Sequence, residues 1–435
     1  MGQAILYENV VNGFSIFKTE STKKYVNDER GNRMRTDEVF EVGMMPPVGV
    51  VPHKMYSWVL REENLGEPSK AYREELIDVP TVEDDEMLVC NIAAGVNFNG
   101  VWAALGSPRD VVKDKEFHIA GSESCAIVYE VGKNVTEFKV GDKVIVGGVQ
   151  YAKDQKENGG YLIWGYEANW GAFSQFSKVK ANQCVFSVPE LTDVENASIS
   201  ATGTTAYRML THWKGNEIKK GDVVLIWGGY GGLGSIAIQI VKHFGGIPVA
   251  VVSDEFKIEK CMELGAAGCI NRKEFTHWGE SDYGDDPAKE KQWVRQVLKF
   301  RRKIWEIVGE HKNPAIVFEH VGSDTMATSL FLCDEGGMVV TCGATSGYLC
   351  NIDVRYLWLT QKRIQGSHAG TKEDFHGLCR IASESDIHPF ISEIYDWKEL
   401  PLAHQKLYEN KVNGGKLCIL IGGNRNTEGV DLPWK

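Results

Sequence analysis

The chain has 435 residues, of which 43% are hydrophobic and 25% charged, a composition typical of a globular protein with room for two domains. Its formal net charge of −11 argues against a nucleic-acid-binding surface, which would need clustered Lys and Arg. The N-terminus lacks a secretory signal and no apolar run approaches the roughly 20 residues that cross a bilayer, so we expect a cytoplasmic protein without membrane or nucleic-acid partners.

Residues 1–54 form a polar extension that ends in a proline-rich joint. Pro46 and Pro47 favour an extended backbone there. We expect this extension to pack on the first domain or on a partner subunit.

Residues 55–202 consist of β-rich runs separated by turn signals. Among the runs are SWVLRE, EMLVCNIAAGVNF, AIVYEVG and DKVIVGG. Short strands at this spacing predict a small barrel-like β domain.

Residues 223–241, VVLIWGGYGGLGSIAIQIV, carry a glycine-rich turn between an apolar strand and a helical segment. Gly229, Gly231 and Gly234 form G-x-G-x-x-G. Glycines at a strand-to-helix turn let backbone N–H groups approach a pyrophosphate at the helix start, so the loop predicts a dinucleotide site.

Strand-like and helix-like segments continue to alternate after this loop. The strand-like segments are VVLIW, IPVAVVS, GCIN, AIVFEHV, GMVVTCG and RIQGS. This alternation predicts a doubly wound parallel sheet in the α/β class. The polar stretch 271–313 is expected to form a helical insertion on the surface, and the last strand, KLCILIGG, is expected to return to the first domain.

This domain order resembles the medium-chain dehydrogenase/reductase superfamily and, within it, the crotonyl-CoA carboxylase/reductase branch that forms ethylmalonyl-CoA. The resemblance covers residues 57–422. It is carried by GVNFNGVW, IWGYEANWGAFSQF, TTAYRML, VLIWGGYGGLGS, FEHVGSDT, TSGY and RYLWLTQKRIQGSH. It implies a GroES-like β-rich catalytic domain, residues 55–202 and 378–435, and a Rossmann cofactor domain, residues 203–377.

The resemblance also bears on metal chemistry. Alcohol dehydrogenases of the superfamily place a cysteine where this chain reads Asn97-Phe98-Asn99, so we expect no catalytic zinc. The ten cysteines are scattered without a Cys-x-x-Cys pair, which favours reduced thiols over a structural zinc site.

The function implied is the NADPH-dependent reduction of a short-chain enoyl-CoA, crotonyl-CoA or acryloyl-CoA. A hydride adds to the β-carbon, and CO2 captures the resulting enolate. Two alternatives stay open: a zinc-free enoyl-CoA reductase that protonates the enolate, and a non-catalytic NADPH-binding scaffold.

The resemblance assigns four catalytic residues. The Asn99 amide and the Tyr166 backbone N–H would contact CO2, while Glu167 and His368 would act through a water. Some carboxylating members have Phe where Tyr166 stands, so its hydroxyl either competes as a proton source or points away. Arg355 and Tyr356 match a segment near bound CoA in the family; a simple packing segment is the alternative.

The residues at the end of the second strand of the Rossmann domain, VVSDEFK, indicate which cofactor is preferred. Ser253, Lys257 and Arg272 would grip the 2′-phosphate of NADPH, whereas Asp254 keeps NADH open. The other predicted cofactor-binding residues are Thr205, Gly229, Tyr230, Gly231, Gly232, Leu233, Gly234 and His320. The family also implies a homodimer or homotetramer, which we expect to pair through an edge strand such as residues 337–342.

Overall fold

The computed structural model describes residues 35–151, 160–279 and 286–423, and the backbone of two short strands near the N-terminus. The chain forms two compact units. The first runs to Ala201 and resumes at Ile391; the second is Thr202–Phe390. Most of the predicted N-terminal extension, residues 1–34, lies outside the described residues apart from those strands.

The strands, in chain order, are β1 (Val10–Val11), β2 (Phe14–Ser15), β3 (Lys54–Leu60), β4 (Arg73–Asp78), β5 (Glu86–Val96), β6 (His118–Ile119), β7 (Ser124–Val131), β8 (Lys143–Val146), β9 (Val149–Tyr151), β10 (Tyr161–Ile163), β11 (Phe176–Lys180), β12 (Cys184–Phe186), β13 (Val223–Ile226), β14 (Ile247–Val252), β15 (Gly268–Asn271), β16 (Ile316–Glu319), β17 (Met338–Thr341), β18 (Arg363–Gly366), β19 (Ile391–Tyr395) and β20 (Lys416–Leu420).

The α-helices are α1 (Pro68–Ala71), α2 (Phe98–Leu105), α3 (Asp193–Asn196), α4 (Ser200–Thr211), α5 (Gly232–His243), α6 (Ile258–Glu263), α7 (Pro287–Val308), α8 (Met326–Leu332), α9 (Arg355–Trp358), α10 (Lys372–Glu384) and α11 (Leu400–Tyr408). The predicted domain boundary at residue 377 falls inside α10, and the structure places that whole helix in the second unit.

The first unit is built around β5, whose eleven residues are all buried. Its sheet has the order β12-β8-β7-β5-β20-β19, and β11 also pairs with β5. The sheet is antiparallel except for the β19–β20 pair. A strand buried along its full length reads as a continuous apolar run rather than an alternating one, and EMLVCNIAAGV fits that description.

The described part of the extension, residues 35–54, packs on the first unit. Arg35 donates to the carbonyl oxygens of Val79 (2.5 Å) and Pro80 (2.6 Å). The Gln175 amide donates to Phe40 O at 3.0 Å. These bonds fix the extension to the β domain of its own chain.

The second unit contains a six-stranded, fully parallel sheet of order β15-β14-β13-β16-β17-β18. The chain order reverses between β13 and β16, which is the switch point where such sheets bind ligands. The predicted Rossmann architecture is confirmed. The expected edge strand at residues 337–342 is wrong, however, because β17 lies between two neighbours and β18 forms the edge.

The predicted insertion is the 22-residue helix α7. Val297, Phe300 and Ile304 are buried at spacings of three and four residues, so one face packs inward. The helix carries seven basic and two acidic side chains, although the whole chain has a net charge of −11. No helix in the described ranges is both long and apolar enough to cross a membrane.

A buried carboxylate joins four segments of the first unit. Glu123, fully buried, accepts from Lys416 Nζ (2.5 Å) and Asn97 Nδ2 (2.8 Å) through one oxygen. Its other oxygen accepts from Ser200 Oγ (3.2 Å) and the Ala201 N–H (2.8 Å). The carboxylate therefore ties the start of α2 to the last strand and to the start of α4.

We predict that Lys416→Met lowers the stability of the first unit by about 3–5 kcal/mol, because it leaves the Glu123 charge buried and unpaired. Lys398→Met is the matched control: Lys398 also pairs with a glutamate, Glu74, but its side chain is 72% exposed. Exposed pairs contribute about 0–1 kcal/mol. Chemical denaturation of both variants measures the difference, and equally small losses would contradict the role given to Glu123.

Candidate active site

The glycine loop of the second unit leads from β13 into α5. Gly231 is the N-cap, and α5 starts at Gly232. Gly228 directly precedes the G-x-G-x-x-G motif and was not among the predicted residues. Its φ of +61° lies in the left-handed region that favours glycine. The first N–H groups of a helix lack partners within it and attract anions, so the geometry of the loop fits the predicted pyrophosphate site.

Close packing explains two glycines of the motif, Gly229 and Gly234. A Cβ on Gly234 would lie 2.4 Å from Gly228 O, and one on Gly229 would lie 2.7 Å from the Ala250 Cβ. These two positions therefore require glycine for packing, independently of any ligand.

His320, predicted to bind cofactor, follows β16 beside this loop. Its Nε2 lies 3.0 Å from Trp227 O. The preceding Glu319 is fully buried and accepts N–H bonds from His320 and Val321, at 2.9 and 2.6 Å. Its other oxygen accepts hydroxyl bonds from Thr325 and Ser329. This carboxylate holds the end of β16 in place.

The residues after β14 form a polar cluster. Lys257 Nζ donates to Ser253 Oγ at 2.7 Å and lies 5.8 Å from the Tyr230 ring centroid. The structure thus brings together three of the predicted cofactor-binding residues. A lysine and a serine at the end of the second strand fit a 2′-phosphate.

Lys273 was not among the predicted residues. Its Nζ lies 2.5 Å from Asp254 Oδ1, and the hydrogen bond holds the pKa of the Asp254 carboxyl below its usual value. The negative charge that argued for NADH is therefore paired with a cation. Arg272, the neighbour of Lys273, is exposed beside this cluster at the end of β15. The only sequence signal for Lys273 was its place in INRK, directly after Arg272.

Asn99 lies in the first turn of α2 in the first unit. Its Nδ2 donates to Ser122 Oγ at 3.0 Å, and Ser122 is 3% exposed. An amide nitrogen carries two hydrogens, so one N–H remains for a substrate. Ser122 adjoins Glu123, so the buried ion pair also supports the serine that contacts Asn99.

α2 itself is fixed by a histidine. A Cβ on Gly100 would lie 2.5 Å from His404 Nε2, so only glycine allows the two helices to approach this closely. His404 is fully buried with Nδ1 at 2.9 Å from Leu400 O, and burial lowers its pKa to about 4. This neutral histidine is part of the helix packing.

Tyr166 and Glu167 lie in a tight turn after β10. Ile163 O accepts three N–H bonds, from Tyr166 (3.1 Å), Glu167 (2.7 Å) and Ala168 (3.0 Å). The Tyr166 N–H predicted to contact CO2 is therefore already engaged, by the longest of the three bonds. Contact with CO2 requires that this N–H be shared or that the turn change.

The Glu167 carboxylate is also engaged. One oxygen forms an ion pair with Arg109, and the other accepts the Ile163 N–H at 2.9 Å. In this structure, both oxygens of the Glu167 carboxylate, which is predicted to act through a water, already accept hydrogen bonds. Arg109 was not predicted.

An aromatic row borders Asn99. Phe98 and Trp102, one helical turn apart, meet edge to face with centroids 5.4 Å apart, and Trp102 lies 6.3 Å from Tyr166. Phe98 remains 39% exposed. The three rings give Asn99 an apolar border.

The remaining predicted residues lie in the second unit. The Arg355 guanidinium is bonded to Asp353 and Glu290, which raise its pKa. Tyr356 packs on Phe331 and Trp293, at centroid distances of 4.8 and 6.4 Å. Both side chains make contacts within the second unit, and their role in binding CoA stays a prediction.

His368 and Thr205 complete the set. His368 is exposed and follows β18, and Thr205 is half-buried on α4. Asn99, Tyr166 and Glu167 belong to the first unit, whereas these two belong to the second.

Two family models match the chain. The alcohol dehydrogenase GroES-like domain matches residues 83–190, and the zinc-binding dehydrogenase model matches residues 232–384. Within the described residues, no three His, Cys, Asp or Glu side chains are grouped so that they could hold a metal ion. The absence of a catalytic zinc stays a prediction, which rests on the residues Asn97-Phe98-Asn99 at the strand end.

Individual relatives cover most of the chain. Crotonyl-CoA carboxylase/reductase of Cereibacter sphaeroides is 41% identical over 89% of this chain and 92% of its own. The structure of crotonyl-CoA carboxylase/reductase AntE in complex with NADP is 41% identical, with TM-score 0.85 over 90% of this chain and 100% of that chain.

A third similar structure is the 2-octenoyl-CoA carboxylase reductase CinF in complex with NADP and 2-octenoyl-CoA. It is 33% identical, with TM-score 0.79 over 88% of this chain and 92% of that chain. The resemblance read from the sequence is confirmed, and the chain belongs to the crotonyl-CoA carboxylase/reductase family.

Proposed function

We propose that this protein uses NADPH to reduce a short-chain enoyl-CoA and that CO2 captures the resulting enolate. The observation that carries the proposal is the 41% identity to the Cereibacter sphaeroides carboxylase/reductase, which extends over 92% of that enzyme. The cluster after β14 supports NADPH, because Lys257 and Ser253 offer a cation and a hydroxyl to the 2′-phosphate while Lys273 pairs with the Asp254 carboxylate.

NADPH supplies the hydride when bound. The chain's own task in the second unit is to hold the pyrophosphate at the start of α5 and the 2′-phosphate at Lys257. In the first unit, the free N–H of Asn99 donates to a developing negative charge or to a CO2 oxygen. When a hydride adds to the β-carbon, the C=C π electrons move to the thioester oxygen and form an enolate. The α-carbon then bonds to the CO2 carbon, the thioester C=O is restored, and a CO2 oxygen takes the negative charge.

The choice between CO2 and a proton depends on which groups stand near the enolate. Carboxylation requires that proton donors and mobile water be kept away. Glu167, held at both oxygens, acts as an acceptor. The Tyr166 hydroxyl is the feature that keeps the alternative open, a reductase that protonates the enolate.

The aromatic row beside Asn99 bears on where the acyl chain lies. Phe98, Trp102 and Tyr166 form a row of apolar rings beside Asn99, and we assign this row to the acyl chain of the substrate.

A homo-oligomer is also part of the proposal. β18 is a sheet edge, and the connection between β17 and β18 exposes Tyr348 (74%), Leu349 (84%) and Trp358 (65%). An unpaired edge with exposed apolar side chains favours pairing with a second copy. Light scattering gives the mass in solution, and a monomer would contradict this part of the proposal.

We expect NADPH oxidation with crotonyl-CoA or acryloyl-CoA, and a malonyl-type thioester as the main product when bicarbonate is present. Mass spectrometry of the products, with and without bicarbonate, is the measurement. Only saturated acyl-CoA at high bicarbonate would identify a reductase. Absence of NADPH oxidation with either substrate would favour a non-catalytic scaffold.

Asn99→Leu should lower carboxylation more than reduction, because it removes the amide donor while keeping a side chain of similar size. We expect the ratio of carboxylated to saturated product to fall by about tenfold, the value of one charge-assisted hydrogen bond. The same product analysis measures it. Equal losses of both products would instead assign Asn99 to general substrate binding.

Lys257→Ala should lower kcat/KM for NADPH by about tenfold to a hundredfold and change the NADH value little, because only NADPH carries the 2′-phosphate. Lys273→Ala should lower the NADPH value by about two- to fivefold, because it leaves Asp254 unpaired. Lys260→Ala, whose ion pair is with Glu263, is the control. If kcat/KM falls equally for NADPH and NADH, the cluster does not recognise the 2′-phosphate.

A further inference from the structure

The segment between α2 and β6 contributes two residues, Arg109 and Lys115, to contacts with Glu167. Arg109 reaches across 58 positions of sequence to form an ion pair with the Glu167 carboxylate. Its side chain is 57% exposed, whereas that of Glu167 is 18% exposed. An exposed cation thus meets a largely covered anion.

The segment around Arg109 also has local bonds of its own. Asp110 Oδ1 accepts the N–H groups of Val112 and Lys113, at 3.0 and 3.1 Å, and Lys115 Nζ donates to Val111 O at 2.8 Å. Lys115 Nζ also donates to the backbone oxygen of Glu167 at 3.4 Å. Arg109 is the residue of this segment that binds the Glu167 carboxylate itself.

The turn engages one oxygen of the Glu167 carboxylate, and the ion pair with Arg109 engages the other. The Ile163 N–H bonds one oxygen of Glu167 and Arg109 bonds the other, so the carboxylate cannot rotate without breaking one of the two. A carboxylate freed at one oxygen would recruit a mobile water there. Such a water is the proton source that competes with CO2.

We propose that Arg109 is a positioning residue that favours carboxylation over protonation by fixing the Glu167 carboxylate, an inference that rests on the proposed function. In the disfavoured branch, the enolate α-carbon takes a proton from water and hydroxide is left. In the favoured branch, the α-carbon forms a C–C bond to CO2, and one CO2 oxygen takes the negative charge.

The test is the product ratio at fixed bicarbonate. Arg109→Gln should raise the ratio of saturated to carboxylated acyl-CoA by about two- to fivefold, the range expected for an ion pair with one exposed partner. Arg109→Lys should restore most of the wild-type ratio. Lys113→Gln, an exposed cation of the same segment, is the matched control and should leave the ratio unchanged.

A double-mutant cycle separates positioning from a general effect. In a Glu167→Gln background, adding Arg109→Gln should change the ratio no further, because the carboxylate to be fixed is already gone. Wild-type-like ratios for Arg109→Gln, or an added effect in the double variant, would overturn the inference while leaving the proposed function intact. If the wild type makes no carboxylated product, the proposed function fails and this inference fails with it.

Discussion

The first unit depends on the fully buried carboxylate of Glu123. Glu123 receives four donors from Lys416, Asn97, Ser200 and Ala201, segments that are distant in sequence. Burying a charge is costly unless it is paired and fully hydrogen-bonded, and here it is both. Because Asn97 is the N-cap of α2 and Ser122 adjoins Glu123, the same carboxylate sets where Asn99 lies.

The second unit also contains a buried carboxylate that is hydrogen-bonded at both oxygens. Glu319 is fully buried at the end of β16, and its two oxygens accept backbone N–H groups on one side and two hydroxyls on the other. Ser329 in turn accepts from Trp227 Nε1 at 2.8 Å, which links this carboxylate to the glycine loop. In both units a satisfied buried acid holds the loops whose side chains are available for chemistry.

Features that depend on short sequence patterns could be predicted from the sequence. Contacts between residues that are distant in sequence could not. The glycine loop, the six strands of the parallel sheet and Ser253 with Lys257 follow from short spacings and strand ends. Lys273, Ser122 and Arg109 depend on approaches across 19, 23 and 58 positions, which no single-sequence pattern encodes. The edge strand was misplaced for the same reason, since strand order in a doubly wound sheet is set by crossovers rather than by composition. The roles of Asn99, Tyr166, Glu167 and His368 stay predictions.

The charge of α7 has a consequence for how ligands arrive. The chain is acidic overall, yet this one helix carries seven basic and two acidic side chains. The helix thus carries a net charge of +5, opposite in sign to that of the whole chain. A local field of this sign attracts polyanions to the helix, and the attraction weakens as salt shortens the Debye length, which is about 8 Å at physiological ionic strength.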